Sequence, residues 1–190
     1  MARNPEDKRE RILKAALELF CERGFHGTAV PLVADRAGVS VGLIYRNFAS
    51  KEELVNEVYR ECKLDFGQSV ERLVRLESDF RAQFRRFFTA TVEYARARPE
   101  SFFFLETHHH TPYLDPASRE ASRLGRGKVT DFLGQGVSLQ LLKPLPPELL
   151  LALLWGPLVE LIRLERAGAL ALDPRLLEQA EQCCWDALTP

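Results

Sequence analysis

Residues 38–54, which read GVSVGLIYRNFASKEEL, combine helix-ending signals with side chains that suit contact with DNA. Only Gly38, Val39 and a cap at Ser40 separate two short predicted helices, and such a turn is typical of a helix-turn-helix. The second helix of this motif enters the major groove with its N-terminal end toward the bases. A serine cap at that end leaves free amides and a positive helix dipole to face phosphate. The stretch therefore predicts a DNA-binding element.

Four residues around this turn are candidates for close approach to the DNA backbone. Tyr45 lies off the apolar face of its helix, so its hydroxyl can reach a phosphate; the alternative is an aromatic anchor that packs on the first helix. Lys51 begins the following helix and can contact the same phosphates, unless it is simply solvated. Thr28 can do likewise from the start of the second helix. Gly42 removes side-chain bulk where the protein and DNA backbones would be closest.

Base reading by the predicted recognition helix must come from a small set of side chains. Val41 and Leu43 lie off the core face and are apolar, so they can contact thymine methyl groups. Arg46 can bind guanine or phosphate, and Asn47 can bind adenine or phosphate. For both polar residues the alternative is contact with solvent or phosphate that reads no sequence.

The composition is that of an ordinary folded domain, with 46% hydrophobic residues, 28% charged residues and a formal net charge of −1. Residues 1–66 carry equal numbers of basic and acidic side chains, so affinity for DNA must come from the placement of individual charges. The basic residues of segment 3–14 alternate with acids, and they fit a contact surface and a solvated helix face equally well. The charged N-terminus excludes a signal peptide, and the longest apolar run, 149–159, is too short to span a bilayer. A cytoplasmic protein is therefore expected.

Helical periodicity runs through the chain, and no alternating stretch is long enough to build a sheet. Gly24 and Gly38 are expected to end helices, and Ser50 with Glu53 forms a capping box that starts another. Thr28 is expected to cap the second helix. We therefore predict an all-α chain of about nine helices. Their expected ranges are 4–24, 28–38, 40–48, 50–76, 78–99, 101–109, 116–137, 147–166 and 173–188.

Residues 10–54 resemble the DNA-binding domain of the TetR family of bacterial transcriptional regulators. The stretches ALELFCERGFHGTAV and ADRAGVSVGLIYRNFASKEEL carry the resemblance. It implies a three-helix helix-turn-helix DNA-binding domain over residues 1–54, with the motif itself at about 28–48, and a helical ligand-binding and dimerisation domain over residues 55–190. Ala29 departs from the family pattern, in which a residue with a hydroxyl group usually stands at this position. The alanine lacks that hydroxyl, which could bond a phosphate.

The resemblance also implies a ligand-responsive repressor that binds a palindromic double-stranded DNA operator as a homodimer. A small-molecule inducer would release the DNA by changing the separation of the two reading helices. In the family the last two long helices, here 147–166 and 174–188, pack against their copies. The alternative is a helical small-molecule binding or interaction protein that no longer reads DNA specifically. No GxSxG, HExxH or phosphate-binding glycine loop occurs, so we expect neither an enzyme nor a cofactor.

The second half of the chain is rich in aromatic residues, which are predicted to line a pocket for an apolar or amphipathic ligand; core packing is the alternative for each. His108, His109 and His110 cannot share one metal ion, because successive residues on a helix point about 100° apart. A helix-end or polar-pocket role is favoured, and Glu106 leaves a metal or cationic ligand as the weaker alternative. The predicted pocket residues are Phe84, Phe88, Phe102, Phe103, Phe104, Glu106, His109, Tyr113, Phe132 and Trp155.

Four cysteines, Cys21, Cys62, Cys183 and Cys184, show no spacing typical of a zinc site. Cys183 and Cys184 both lie on the apolar stripe of the last predicted helix. They are either small buried hydrophobes or one of them forms an inter-subunit disulfide near the two-fold axis of a dimer. Disulfides are rare in the cytosol outside some hyperthermophiles, and the sequence leaves the two readings open.

Overall fold

All regular structure is helical in the computed structural model, which describes residues 5–109 and 111–190. The described residues form nine helices, in agreement with the prediction, and none of these is long and apolar enough to cross a membrane. Asn4, the expected cap of the first helix, and His110 lie outside the described residues. The helices are α1 (Pro5–Gly27), α2 (Val30–Ala37), α3 (Val41–Asn47), α4 (Lys51–Val74), α5 (Phe80–Ala97), α6 (Pro99–His108), α7 (Pro116–Ser138), α8 (Pro147–Arg166) and α9 (Pro174–Leu188).

The chain divides into two compact units, and neither is a continuous segment. The first unit runs up to Phe66 and adds residues 98–122, whereas the second comprises residues 67–97 and 123–190. Helices α4 and α7 each contribute residues to both units. The predicted boundary after residue 54 therefore falls within α4, and the unit that holds the helix-turn-helix also contains α6.

The core of the first unit forms where α1 packs against α2 and α6, and α2 packs against α3. Along α1, Ile12, Ala16 and Leu19 recur at the spacing of one helix face and are at most 2% exposed. Ile44 and Phe48 bury the inner side of α3 and its C-terminal end, as predicted. The aromatic members of this core are Phe20, Phe25, Phe48, Tyr59 and Phe104.

Two glycines with positive φ shape the connections around the helix-turn-helix. Gly24, at φ 67° and ψ 176°, breaks the helix where the sequence predicted an end, and a further helical stretch runs on to Gly27. Gly38 ends α2 in the left-handed conformation, at φ 63° and ψ 45°. Arg11 reaches from α1 and donates hydrogen bonds to the carbonyl oxygens of Ala37 and Gly38. A Cβ at position 38 would lie 2.8 Å from the Arg11 guanidinium, so a side chain there would displace that guanidinium, and the positive φ is what favours glycine.

Side-chain caps begin the two helices on either side of the α3–α4 connection. Ser40 Oγ accepts a hydrogen bond from the amide of Leu43 at 3.3 Å. Ser50 Oγ accepts one from the amide of Glu53 at 3.1 Å, and the Glu53 carboxylate accepts one from the amide of Ala49 at 2.5 Å. These bonds satisfy amides that a helix N-terminus otherwise leaves unpaired. The caps fix where α3 and α4 start.

In the second unit, α5, α8 and α9 pack on one another around large apolar side chains. Phe84 and Phe88 are fully buried on α5. Glu181 of α9 is only 1% exposed, and it accepts hydrogen bonds of 2.5 and 2.9 Å from the Arg81 guanidinium of α5. The same guanidinium lies 4.6 Å from the centroid of the Trp185 ring. A buried carboxylate needs such a partner, so this ion pair ties α9 to α5.

Gly136 marks a close approach of α7 to α5. A Cβ at this position would fall inside van der Waals contact of the Phe80 ring and 2.8 Å from Leu142 Cδ1.

We expect Gly136→Ala to lower the free energy of unfolding by about 1–3 kcal/mol, because the added methyl overpacks the core. Chemical denaturation measures the change. Gly125→Ala is the matched control, since open space surrounds that exposed glycine in the same helix, and it should raise stability by about 0.5–1 kcal/mol. Equal effects of the two substitutions would show that the close packing is absent.

Candidate DNA-binding site

Helix α3 presents one buried side and one exposed side. Ile44 and Phe48 hold it to the core at 1% and 3% exposure. On the other side, Tyr45 is 52% exposed, and Gly42 and Arg46 are also exposed. The Ser40 cap stands at the N-terminal end of this exposed side. The arrangement has the two properties that a recognition helix needs, which are a fixed back and an accessible N-terminal front.

The four side chains predicted to read bases have different surroundings. Val41 is half-buried and packs against the core of the first unit, so the expectation that it lies off the core face is wrong. Leu43 is half-buried. Asn47 is exposed, but its side-chain amide donates to the carbonyl of Leu43 at 2.8 Å. That bond occupies one of the two N–H donors with which the amide could bind adenine. Arg46 is exposed, and its guanidinium has the fork of donors that guanine O6 and N7 accept.

Thr28 does not have the surface position that the sequence suggested. It is fully buried, and its hydroxyl lies 3.0 Å from the carbonyl oxygen of Leu19 and 2.8 Å from that of Gly24. Helix α2 begins at Val30 with Ala29 as its N-cap, and no side-chain hydrogen bond caps it. The expectations that Thr28 caps α2 and contacts phosphate are both wrong. The hydroxyl instead donates hydrogen bonds to carbonyl oxygens beside the break that Gly24 makes in α1.

Lys51 occupies the first position of α4 and is half-buried. Its ammonium donates a hydrogen bond of 2.8 Å to the carbonyl oxygen of Phe25 and lies 4.1 Å from the centroid of the Phe25 ring. The lysine is therefore held in place and is not a freely solvated side chain. An ammonium has three donors, so this hydrogen bond leaves capacity for a phosphate oxygen.

Ion pairs engage several basic residues of the first unit. Arg36 of α2 binds Glu18 and Glu22 of α1 at 3.2 and 3.0 Å. Arg9 binds Glu57 and Glu61 of α4 at 2.5 and 2.6 Å. Burial would raise the pKa of Glu57, but hydrogen bonds from its arginine partners outweigh burial and hold that pKa below its ordinary value. These arginines tie helices together, and they leave less unpaired positive charge for DNA.

Two family models together match nearly the whole chain. Residues 12–58 match the model described as bacterial regulatory proteins of the tetR family. Residues 59–189 match the model described as the tetracyclin repressor-like C-terminal domain. The chain belongs to the TetR family. TetR regulators bind DNA operators and act as dimers, and the similar curated proteins are transcriptional regulators, not enzymes.

Relatives of this TetR chain include two proteins of Bacillus subtilis (strain 168). The uncharacterized HTH-type transcriptional regulator YerO is 26% identical over 143 residues, which are 69% of this chain and 48% of YerO. The fatty acid metabolism regulator protein is 29% identical over 124 residues, which are 65% of this chain and 59% of that protein. The chain thus spans about half the length of these curated relatives. A TetR family transcription regulator from Marinobacter aquaeolei VT8 has the same fold, with a TM-score of 0.90 at 24% identity over 99% of this chain and 98% of that one.

The residues predicted to line a ligand pocket divide between the two units of the TetR chain. In the first unit, Phe104 stacks on Phe20 at 6.2 Å between ring centroids, and Tyr113 stacks on Phe25 at 4.2 Å. Both aromatic residues therefore pack on the helix-turn-helix core, as the core-packing alternative expects, and their role in a ligand pocket stays a prediction. Phe102 is 2% exposed. It makes an edge-to-face contact with Phe103, a further predicted pocket residue.

In the second unit, the predicted pocket residues contact other rings. Phe84 meets Trp185 edge to face at 5.0 Å, Phe132 stacks on Phe80 at 4.5 Å, and Trp155 lies 6.4 Å from Phe87. Phe88 is fully buried. A depression of about 320 Å³ lies elsewhere on this unit, between α8 and α9. Its lining consists of Pro157, Glu160, Leu161, Leu164, Ala180, Cys183 and Cys184.

The histidines at the end of α6 make local contacts. The buried His108 ring stacks on Phe104 at 4.0 Å, and its Nδ1 lies 2.9 Å from the Phe104 carbonyl oxygen and 2.8 Å from the hydroxyl of Thr107. Nδ1 of His109 lies 2.8 Å from the carbonyl oxygen of Glu106. Among the described residues, no group of three or more His, Cys, Asp or Glu side chains could hold a metal ion. The metal alternative therefore has no support in that part of the chain.

The two neighbouring cysteines of α9 differ in accessibility. Cys183 is exposed and Cys184 is buried. Burial raises the pKa of the Cys184 thiol to about 11, so little reactive thiolate forms there at neutral pH. Of the two candidates for an inter-subunit disulfide, Cys183 has the accessible thiol.

Several residues that build this site carried no signal in the sequence. Asn56 of α4 donates to the carbonyl of Tyr113 at 2.8 Å and accepts from the amide of Asp115 at 2.8 Å. Arg9 and Arg11 make the contacts between helices described above. All these partners are distant along the chain, and neither helical periodicity nor cap signals report such pairs.

Burial lowers the pKa of His108 below its ordinary value of 6.5, and this gives the stability of the chain a testable pH dependence. The unfolded chain binds a proton near pH 6.5, whereas the folded chain binds it only at lower pH. Stability therefore falls as the pH drops below about 6.5. Denaturant unfolding from about pH 8 to about pH 5 should show wild type losing stability relative to His108→Phe across this window. Contributions of the carboxylates cancel in the difference, so a difference that does not vary with pH would contradict the assignment.

Proposed function

We propose that this TetR regulator is a repressor that binds a palindromic operator as a homodimer and leaves it when a small apolar or amphipathic molecule binds. The observation that carries the proposal is the exposed side of α3, which is fixed from behind by Ile44 and Phe48 and capped by Ser40. A helix held in this way can enter the major groove with its N-terminal residues toward the base edges.

The docking that we propose places the N-terminal end of α3 in the major groove. The free amides of its first turn and the hydroxyl of Tyr45, which is 52% exposed, contact phosphate. Arg46 reads a guanine edge, and Leu43 contacts a thymine methyl. Lys51 adds a phosphate contact from the start of α4. Asn47 donates one N–H of its side-chain amide to the α3 backbone in the free protein, and the second N–H and the amide oxygen remain for adenine.

The dimer that we propose forms through α8 and α9. Helix α8 leaves apolar surface uncovered in the single chain: Leu149 and Leu153 are each 44% exposed, and Leu164 is 37% exposed. The depression between the two helices has an apolar lining around Cys183. A contiguous apolar surface of this kind marks an interaction site, and a second copy of the chain supplies a matching surface by two-fold symmetry. Two reading helices in such a dimer meet half-sites about 34–36 Å apart, or a multiple of that distance.

The ligand that we propose is apolar or amphipathic, and a fatty acid derivative is the first class to test. Support comes from the relative named as a fatty acid metabolism regulator and from the many aromatic residues of the second unit. A ligand that binds the folded chain raises its unfolding temperature, and the rise grows with the logarithm of ligand concentration above the dissociation constant. Mass spectrometry of the native protein would identify a ligand that co-purifies.

The experiment that tests the function is a gel-shift titration with the DNA upstream of the chain's own gene, at two salt concentrations. A preference for this DNA over unrelated DNA of equal length, lost on addition of the ligand, supports an inducible regulator. A rise in expression of the neighbouring genes on deletion identifies a repressor, whereas a fall identifies an activator. Equal affinity for all DNA, or no binding, favours instead a helical small-molecule binding protein that has lost specific reading.

Substitutions in α3 separate backbone contact from base reading. We expect Tyr45→Phe to weaken binding to operator and non-operator DNA alike by about tenfold, because it removes one hydrogen bond to a charged phosphate. Arg46→Ala should instead change the preferred sequence at one base pair, at a cost of about 1–3 kcal/mol for the best site. Competition against a library of half-site variants measures both. Arg119→Ala, an exposed arginine of α7, is the control. The docking would be wrong if Arg46→Ala lowered affinity for every sequence equally.

Cys183 provides a separate test of the dimer. If α9 packs beside its copy at the two-fold axis, mild oxidation should join two chains through Cys183, and a non-reducing gel should show a band at twice the mass. Cys183→Ser should abolish that band, whereas Cys184→Ser should leave it, because Cys184 is buried and has a raised pKa. A monomer band for wild type under oxidation rules out this disulfide without ruling out the dimer.

A further inference from the structure

The Phe25 ring lies at the end of α1 and touches residues from two distant parts of the first unit. Lys51 of α4 places its ammonium 4.1 Å from the ring centroid and also donates to the Phe25 carbonyl oxygen at 2.8 Å. Tyr113, in the turn between α6 and α7, stacks on the same ring at 4.2 Å with 20° between the planes. One aromatic ring therefore joins the α6–α7 turn to the first residue of α4.

The α6–α7 turn is itself fixed to α4 by polar contacts. Asn56 is 2% exposed, and its side chain bonds the backbone of Tyr113 and of Asp115, at 2.8 Å each. The Asp115 carboxylate caps the start of α7 by accepting from the amide of Ser118 at 2.7 Å and binds Arg60 of α4 at 2.9 Å. These bonds set the backbone position of Tyr113, and so they set where its ring meets Phe25.

We propose that Phe25 and Tyr113 are positioning residues for Lys51, and that through them the α6–α7 turn controls how strongly the chain holds the DNA backbone. The proposal rests on the phosphate contact of Lys51 in the proposed function. A lysine side chain is flexible, and its ordering opposes binding. The carbonyl and the ring of Phe25 already restrict Lys51 in the free protein, so less freedom is lost when a phosphate is bound. Tyr113 keeps the Phe25 ring in the orientation that does this.

The geometry distinguishes this role from simple core packing. Phe25 is buried, with 9% of its surface exposed, whereas Tyr113 is only half-buried. We expect a shift of the α6–α7 turn to alter the ring that Lys51 contacts and to leave the more deeply buried Ile44 and Phe48, at 1% and 3% exposure, in place. DNA affinity would change through one phosphate contact, and base preference would stay the same.

A double-mutant cycle tests the proposal. Tyr113→Leu keeps an apolar side chain of similar reach but removes the stacked ring, and it should weaken DNA binding by about three- to tenfold. Lys51→Ala should weaken binding by about tenfold and lower the slope of log affinity against log salt by about one. Tyr113→Leu in the Lys51→Ala background should have no further effect. Tyr113→Phe is the matched control, because it retains the stack, and it should bind like wild type.

A full additional loss in the double variant would overturn the proposal, because Tyr113 would then act on DNA binding independently of Lys51. Tighter binding of Tyr113→Leu would also overturn it, since the ring would then withhold Lys51 from phosphate. Thermal unfolding of each variant checks that the first unit remains folded at the assay temperature.

A second measurement needs no DNA. In protein labelled at lysine, the side-chain resonances of Lys51 should be shifted by the Phe25 ring, and Lys51→Ala assigns them. Tyr113→Leu should move these resonances toward those of an exposed lysine, and Tyr113→Phe should not. Unchanged Lys51 resonances in Tyr113→Leu would overturn the positioning role. If the Lys51 resonances move in Tyr113→Leu but the wild-type protein binds no DNA, the proposed function is wrong. The contact by which Tyr113 and Phe25 position Lys51 is then still supported.

Discussion

The burial of α3 against the rest of the first unit is the constraint on which the DNA-binding site depends. Helix α3 has seven residues, and a helix of this length has no stability of its own in water. Its conformation exists because Ile44 and Phe48 bury almost completely and because the Ser40 cap and the left-handed Gly38 fix where it begins. The exposed side of α3 is therefore as rigid as the core behind it, although few of its own residues contribute to that core.

The same constraint explains why the first unit is assembled from two separate segments. Helices α1 to α3 alone offer a narrow core, and a small domain buries a low fraction of its surface. Helix α6 adds Phe104, Leu105 and the following Leu114 to that core. Tyr113 closes it beside Phe25. The helix-turn-helix thus depends for its stability on residues that follow both α4 and α5 in the chain.

The sequence predicted the helices well because the signals that end and begin helices are local. Gly38, Ser40 and Ser50 act on amides and carbonyls within four residues, and each lies where it was expected. Thr28 failed for a related reason. A hydroxyl before a helix suits an N-cap, but the break at Gly24 left carbonyl oxygens nearby, and the Thr28 hydroxyl bonds those instead.

The pocket residues stay a prediction, since residue type reports how strongly a side chain prefers burial but not whether it faces a cavity or another ring. Phe104 and Tyr113 were both chosen for their aromatic character, and both pack on the helix-turn-helix core. Val41 was misplaced although it lies three residues before Ile44, a spacing that puts both side chains on the same side of the helix. The hydrogen bonds of Asn56 to the backbone of residues 113 and 115 could not be inferred from the sequence, because these partners lie more than fifty positions away along the chain.

The charge balance of the first unit follows from how its helices are held together. Arg36 and Arg9 are committed to carboxylates on neighbouring helices, and Arg11 is committed to the carbonyls that end α2. The carboxylate partners of Arg36 and Arg9 cancel the attraction of those charges for DNA at long range, whereas Arg11 keeps its charge but has donors occupied by carbonyl oxygens. A domain built in this way cannot rely on a general electrostatic attraction, so its affinity must rest on a few donors held in the right geometry. We propose that exposed Tyr45 and Arg46 and the restrained Lys51 are these donors, and on that proposal the restraint on Lys51 matters more here than it would in a strongly basic domain.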